Sequence, residues 1–154
     1  MQMKDEEKIK NLIDDTLKIM GFDVKVDVME TTENLQFTIR TNEAGLLIGE
    51  EGQNLIALNH ILRRMVEKTF GKTELQFSLD VNDYQRQKAE EIKDLARMSA
   101  QRVRFFKKEI TLDPMTSYER RIVHAVLTEY PDIVTESIGN EPNRKVIIKP
   151  FEGN

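Results

Sequence analysis

The apolar positions follow two periods. Ile9, Leu12, Ile13, Thr16, Leu17 and Met20 recur every three or four residues, which predicts a helix with one apolar face. Asp5, Glu6 and Glu7 give its first turn negative charge, and Gly21 is placed to stop it. Val24, Val26 and Val28 alternate with Lys25 and Asp27, and Leu35, Phe37 and Ile39 with Gln36, Thr38 and Arg40. Period two predicts two strands, each with one buried and one wet face. Polar residues 30–34 join them as a hairpin. Residues 42–70 predict a short helix, a tight glycine loop and a longer helix that ends at Gly71. The longer helix carries Leu55, Leu58, Leu62, Met65, Val66 and Thr69 on one face. Leu75, Phe77, Leu79 and Val81 predict a third strand, so residues 1–81 read α-β-β-α-α-β.

Asn82 and Asp83 are suited to cap the next helix, because their side chains accept bonds from free N–H groups. That helix is predicted to run to residue 108, with Ile92, Leu95, Ala96, Ser99, Val103 and Phe106 buried. A short strand over 110–112, a helix over 117–129 and strands over 133–138 and 145–149 complete the chain. Thr116 and Glu119 have capping-box spacing. The expected class is α+β, with two small domains at residues 1–81 and 82–154. The second is expected to pack helices on a small three-stranded sheet.

Composition narrows the chemistry. A chain of 154 residues with 39% hydrophobic positions can form a core for two small domains. The longest apolar run, residues 44–49, is far short of the roughly 20 residues that span a bilayer, so no membrane insertion is expected. The N-terminus has no apolar stretch behind its charges, so no secretory signal is expected either. The absence of cysteine excludes disulfides and thiolate metal sites. His60 and His124 are the only histidines, too few for a histidine cage. The expectation is a cytoplasmic protein without a metal or cofactor.

The net charge of −4 argues against a basic nucleic-acid binder only when averaged. Residues 1–81 hold 10 basic and 15 acidic residues, whereas residues 82–154 hold 13 and 12. Residues 97–108 hold five basic residues and no acid. Any anionic contact is therefore expected to be local. Within that stretch Arg97, Arg104 and Lys108 are spaced by seven and four, so they share a helical face able to track phosphates. An ordinary solvated face has the same spacing. Phe105 and Phe106 point different ways, which predicts one in the core and leaves the other as a stacking surface or a packing contact.

The glycine loop is Gly49, Glu50, Glu51 and Gly52. In the α-β-β-α-α-β order this is the position of the loop in a type II KH domain. Glycines let a nucleic-acid backbone approach, and the following helix N-terminus favours phosphate. Such loops clamp about four nucleotides. Glu50 and Glu51 oppose that use by charge repulsion. A phosphate clamp and a plain helix–helix turn both stay open.

Arg120 and His124 lie one turn apart, outside the apolar set Tyr118, Ile122, Val123, Val126, Leu127 and Tyr130. They are expected to form an exposed pair suited to a phosphate and a base or sugar. The surrounding PMTSYERRIVH (residues 114–124) is followed by TESxGxEPxRxV (residues 135–146). This pattern closely resembles the R-three-H domain of the bacterial Jag family, the SpoIIIJ-associated proteins, in which a type II KH domain comes directly before it. The likeness covers essentially residues 1–150.

The resemblance implies a non-catalytic, cytoplasmic protein that binds RNA or other single-stranded nucleic acid. It implies a homodimer or a heterodimer with a small KH protein, and a link to post-transcriptional or cell-growth control. By motif position it implies Arg120 and His124 as binding residues, with Arg121 and Arg144 beside them and Gly49 and Gly52 in the KH loop. Longer members carry an N-terminal domain and linker. This sequence opens in the KH-like half, so roles that depend on that region are not expected.

An enzyme is not expected. Glu119 is explained by capping, Glu50 and Glu51 are adjacent carboxylates on a loop, and no phosphate-binding Gly-x-x-x-x-Gly-Lys loop is present. The alternative to a nucleic-acid binder is a dimerisation scaffold whose acidic KH loop does not touch RNA.

Overall fold

Helix α1 (Gln2–Ile19) turns Ile9, Ile13 and Leu17 inward at four-residue spacing. Met20 falls past the helix end and is exposed, and Gly21 at φ +92° redirects the chain. The computed structural model describes residues 2–32, 34–72 and 76–153, apart from the side chains of residues 2 and 3.

Strand β1 (Lys25–Glu30) pairs antiparallel with β2 (Leu35–Arg40), placing Val28 opposite Phe37. Strand β3 (Phe77–Val81) lies parallel on the other side of β2, with Leu79 opposite Phe37. A parallel neighbour requires a crossover. Here it is α2 (Ala44–Ile48), a tight turn at Glu50–Gly52, and α3 (Gln53–Phe70). Leu55, Leu58, Leu62 and Val66 of α3 pack with Phe37, Ile39 and Leu79. Leu75, the expected first residue of the third strand, lies outside the described residues.

Two expectations about β2 and β3 are corrected. The wet face of β2 is interrupted at Thr38, which is buried beside its register partner Asp80. Asn82, with its side chain on Thr41, does not cap the next helix, and Asp83 reaches Arg40. Both have positive φ, which turns them back toward the end of β2. The Asn82 amide bridges the Thr41 N–H and C=O at 3.1 and 2.8 Å, and Asp83 pairs with Arg40 at 2.8 Å. The buried Asp80 instead accepts from the N–H of Gln85, near the helix start, at 3.1 Å.

The chain divides into two compact units, residues 1–85 and 86–154. Helix α4 (Tyr84–Phe106) starts at the boundary. The second unit adds β4 (Ile110–Thr111), α5 (Ser117–Leu127), β5 (Ile133–Ile138) and β6 (Lys145–Pro150). Its sheet is antiparallel in the order β4-β6-β5, with Thr135 opposite Ile148. Ile92, Ala96, Ala100 and Val103 meet Val123, Leu127, Val146 and Ile148 in the core.

Ala100, not Leu95 or Phe106, completes the α4 stripe, because the 3.6-residue period rotates Leu95 and Phe106 to the edge. The helix ends at Phe106, two residues before the expected stop. Lys107 takes φ +55° while its N–H still bonds the Val103 carbonyl. Both Phe105 and Phe106 are exposed, against the expectation that one is core. Tyr118, expected in the apolar set of α5, is also exposed.

Candidate nucleic-acid interface

The first turn of α5 is fixed by a reciprocal cap. Thr116 Oγ1 accepts from the Glu119 N–H at 3.2 Å, and Glu119 Oε2 accepts from the Thr116 N–H at 2.8 Å. This orients Arg120 away from open solvent. Arg120 is 8% exposed. Its Nη1 donates to the Met115 carbonyl at 2.7 Å and its Nη2 to Glu141 Oε1 at 2.8 Å. The Met115 N–H in turn donates to the Arg144 carbonyl at 3.1 Å. The segment before α5 and the β5–β6 turn are thus tied by three bonds. A planar fork with separated donors suits this double reach.

One turn on, His124 is half-buried. Its Nδ1 lies 2.6 Å from Thr135 Oγ1 and its Nε2 lies 2.7 Å from Ser137 Oγ. Thr135 and Ser137 are two apart on β5 and so share a face. Burial, and then the positive charge of Arg120, hold the imidazole below the usual histidine range. A neutral ring donates from one nitrogen and accepts at the other, which two hydroxyls can match.

The expected exposed Arg–His pair is therefore corrected. Arg120 is buried because it has internal acceptors, and both ring nitrogens of His124 are bonded to β5. Thr135, Ser137 and Glu141 are the partners that spacing on α5 alone did not single out. The alternation Thr135-x-Ser137 was the available signal.

Two neighbouring cations differ. Arg121 is exposed and Arg144 is half-buried. Among the described residues neither makes an ion pair, and the buried Nε of Arg144 has no hydrogen-bond partner. A buried donor without an acceptor is unusual in a protein.

The basic stretch is not uniform. Arg104 donates to Asp132 Oδ1 from Nε at 2.8 Å and Nη2 at 2.5 Å, with its guanidinium 4.5 Å from the Tyr130 ring centre. This pairing holds the Asp132 carboxyl below the usual range. Arg97 contacts Asp94 at 3.4 Å. Lys108 lies past the helix end, exposed and without an ion pair among the described residues. Asp132 stands outside residues 97–108, so a stretch free of acid did not guarantee free cations.

In the glycine loop, Gly49 and Gly52 have φ +73° and +76°, and Glu51 has φ +55°. A Cβ on Gly49 would lie 2.6 Å from Asn54 Cγ, and the Asn54 amide donates to the Leu46 carbonyl at 2.9 Å. A Cβ on Gly52 would lie 3.0 Å from the Tyr84 ring. The loop needs its glycines for its own packing. Glu50 and Glu51 are exposed. Among the described residues no His, Asp and Glu cluster could hold a metal ion, and no helix is long and apolar enough to cross a membrane.

Comparison with known proteins agrees with this two-part layout. Residues 8–82 match the model of the KH domain and residues 90–150 that of the R-three-H domain. The chain belongs to the Jag family. RNA-binding protein KhpB of Clostridium symbiosum is 35% identical over 129 residues, covering 84% of this chain and 58% of that protein. The Bacillus subtilis protein of the same name is 34% identical over 125 residues, covering 80% and 60%. The Lactiplantibacillus plantarum protein is 31% identical over 150 residues, covering 96% and 46%. The chain spans about half the length of the curated relatives it matches. In this Jag-family chain the R-three-H match begins inside α4 and ends with β6, so it contains both Arg120 and its partner Glu141.

Proposed function

We propose that this chain binds single-stranded RNA without catalysing a reaction, as a cytoplasmic post-transcriptional or cell-growth regulator in a bacterium. The observation that carries the reading is the tandem of a KH and an R-three-H domain, shared with relatives named RNA-binding proteins. That tandem does not favour a pure scaffold. A non-catalytic role is supported by His124, whose two ring nitrogens are both bonded to β5 hydroxyls.

In this reading Arg121 and Arg144 meet phosphates, while Arg120 and His124 hold the β5–β6 turn and β5 in place behind them. Lys108 and Arg97 extend the cationic surface, and Arg104 braces it through Asp132. Gly49 and Gly52 shape the KH loop. Association with another copy, or with a small KH protein, belongs to the same proposal.

The test is fluorescence anisotropy of a labelled single-stranded RNA of about 15 nucleotides, long enough for several phosphate contacts. Wild type should bind, and Arg121→Ala/Arg144→Ala should bind more weakly. Loss of two phosphate contacts should flatten the log–log salt slope by about 1.4. A single-stranded DNA of the same sequence shows whether the sugar matters. Wild type that fails to bind at low salt, or that cleaves the RNA, overturns the reading.

A further inference from the structure

The last turns of α4 leave two aromatic rings bare. Phe105 is 82% exposed and Phe106 60%, and the rings meet edge to face at 4.9 Å between centres. Neither belongs to the core of the second unit. Met98, Arg102, Phe105 and Phe106 stand at i, i+4, i+7 and i+8, so they share one helical face. This face is rotated away from Ala96, Ala100 and Val103, which point into the core. Just beyond the rings the chain turns at Lys107 and continues to Lys108.

The surroundings of the rings select the partner. Among the described residues, Arg102, Lys107 and Lys108 make no ion pair or side-chain hydrogen bond, unlike Arg97 and Arg104. Residues 97–108 contain no acid. Lys107 already lies near the Asp132 carboxylate, but an apolar protein surface would cover the rings and leave Arg102 and Lys108 unanswered. A partner with flat apolar groups strung on an anionic backbone satisfies both. Stacking on aromatic faces with cations along the backbone is how single strands are held without sequence preference.

We propose that Phe105 and Phe106 form a base-stacking platform for single-stranded RNA, with Arg102 and Lys108 on its phosphates. The proposal rests on the RNA-binding reading above. It adds a contact surface at the end of α4 to the one around Arg121 and Arg144.

The chain has no tryptophan, so Phe105→Trp creates a single reporter. Its emission should be quenched by an oligouridylate of about 12 nucleotides, because a base stacks on the indole. Inorganic polyphosphate, with charge but no bases, should leave the emission nearly unchanged. Phe105→Ala/Phe106→Ala should fold as wild type does, since both rings are exposed. It should bind the same RNA about tenfold more weakly, with an unchanged salt slope. Arg102→Ala/Lys108→Ala should flatten the slope by about 1.4.

Equal quenching by polyphosphate, or wild-type affinity in the double-Phe variant, overturns the proposal while leaving RNA binding intact. A double-Phe variant that dissociates a dimer in sedimentation, with RNA affinity unchanged, assigns the face to a second copy instead. Wild type that binds no RNA removes both readings together.

Discussion

Arg120 reaches Glu141, 21 residues away along the chain, with Nη2 2.8 Å from Oε1. Its other terminal nitrogen donates to the Met115 carbonyl. One guanidinium therefore closes the start of α5 onto the β5–β6 turn. Arg120→Ala should cost the second unit about 2 kcal/mol, the range for hydrogen bonds to a charged group. Glu141→Ala should cost about 1–3 kcal/mol, because it leaves Nη2 of Arg120, whose side chain is only 9% exposed, without its acceptor. Arg120→Lys should recover little, since an ammonium cannot present the same rigid fork to both acceptors. Urea denaturation of the three variants and the Arg120→Ala/Glu141→Ala double variant checks this. A double-variant loss equal to the sum of the single losses would remove the coupling argued here.

His124 should make stability depend on pH. Its folded pKa is lowered, mainly by burial and then by Arg120, so between that value and the ordinary 6.5 the unfolded chain binds more protons. Stability rises with pH wherever the unfolded state holds more protons. The contribution is complete above pH 6.5 and is lost as the pH falls from 6.5 through the folded value. His124→Gln should flatten the pH profile over this window, and Thr135→Val should weaken the fold without flattening it fully. Chemical denaturation at several pH values between 5 and 8, with NMR titration of the His124 ring, gives the measurement. A His124 ring that titrates above 6.5 reverses the sign.

Much of the fold was legible because strong periods repeat. Ile9, Ile13 and Leu17, and Leu55, Leu58, Leu62 and Val66, are spaced so regularly that their helices could not be missed. The bounds 133–138 for β5 and the Thr116–Glu119 cap also follow from local rules. The errors come from partners distant in sequence. Arg120 looked exposed because its acceptors, Met115 O and Glu141, lie off α5. Arg104 looked free because Asp132 stands beyond the basic stretch. Asn82 looked like a cap, but positive φ turned it toward Thr41, and Asp83 reaches Arg40. Charged side chains have long reach, so spacing along one helix says where they start and not where they end.

Asp80 serves the start of α4, where Asn82 and Asp83 were expected to cap. It is 1% exposed and accepts from the N–H groups of Val81 at 2.8 Å and Gln85 at 3.1 Å. Removing an acceptor from buried donors costs about 1–3 kcal/mol, so Asp80→Ala should lower stability by at least that range. Asp83→Ala breaks a partly exposed pair with Arg40 and should cost less than Asp80→Ala. Thermal unfolding followed by circular dichroism should rank the two in that order. The reverse order would give the larger share to Asp83.

The acidic KH loop can be tested without disturbing its packing. Gly52→Asp is a poor probe, because a Cβ there meets the Tyr84 ring at 3.0 Å and φ is +76°. Such a change costs about 1–3 kcal/mol of strain, and weaker binding would then report damage to the fold. Glu50→Gln/Glu51→Asn is cleaner. Both positions are exposed, and asparagine tolerates the left-handed φ of +55° at position 51. If RNA phosphates pass within a Debye length of the loop, about 8 Å at physiological salt, the two carboxylates repel them. Neutralising both should then tighten binding by about three- to tenfold at low salt, on the order of 1 kcal/mol in total. The gain should shrink as salt is raised. Anisotropy titrations at two salt concentrations give the answer. Unchanged affinity at both would leave the loop as a helix–helix turn, with its glycines serving Asn54 and Tyr84 and not a nucleic acid.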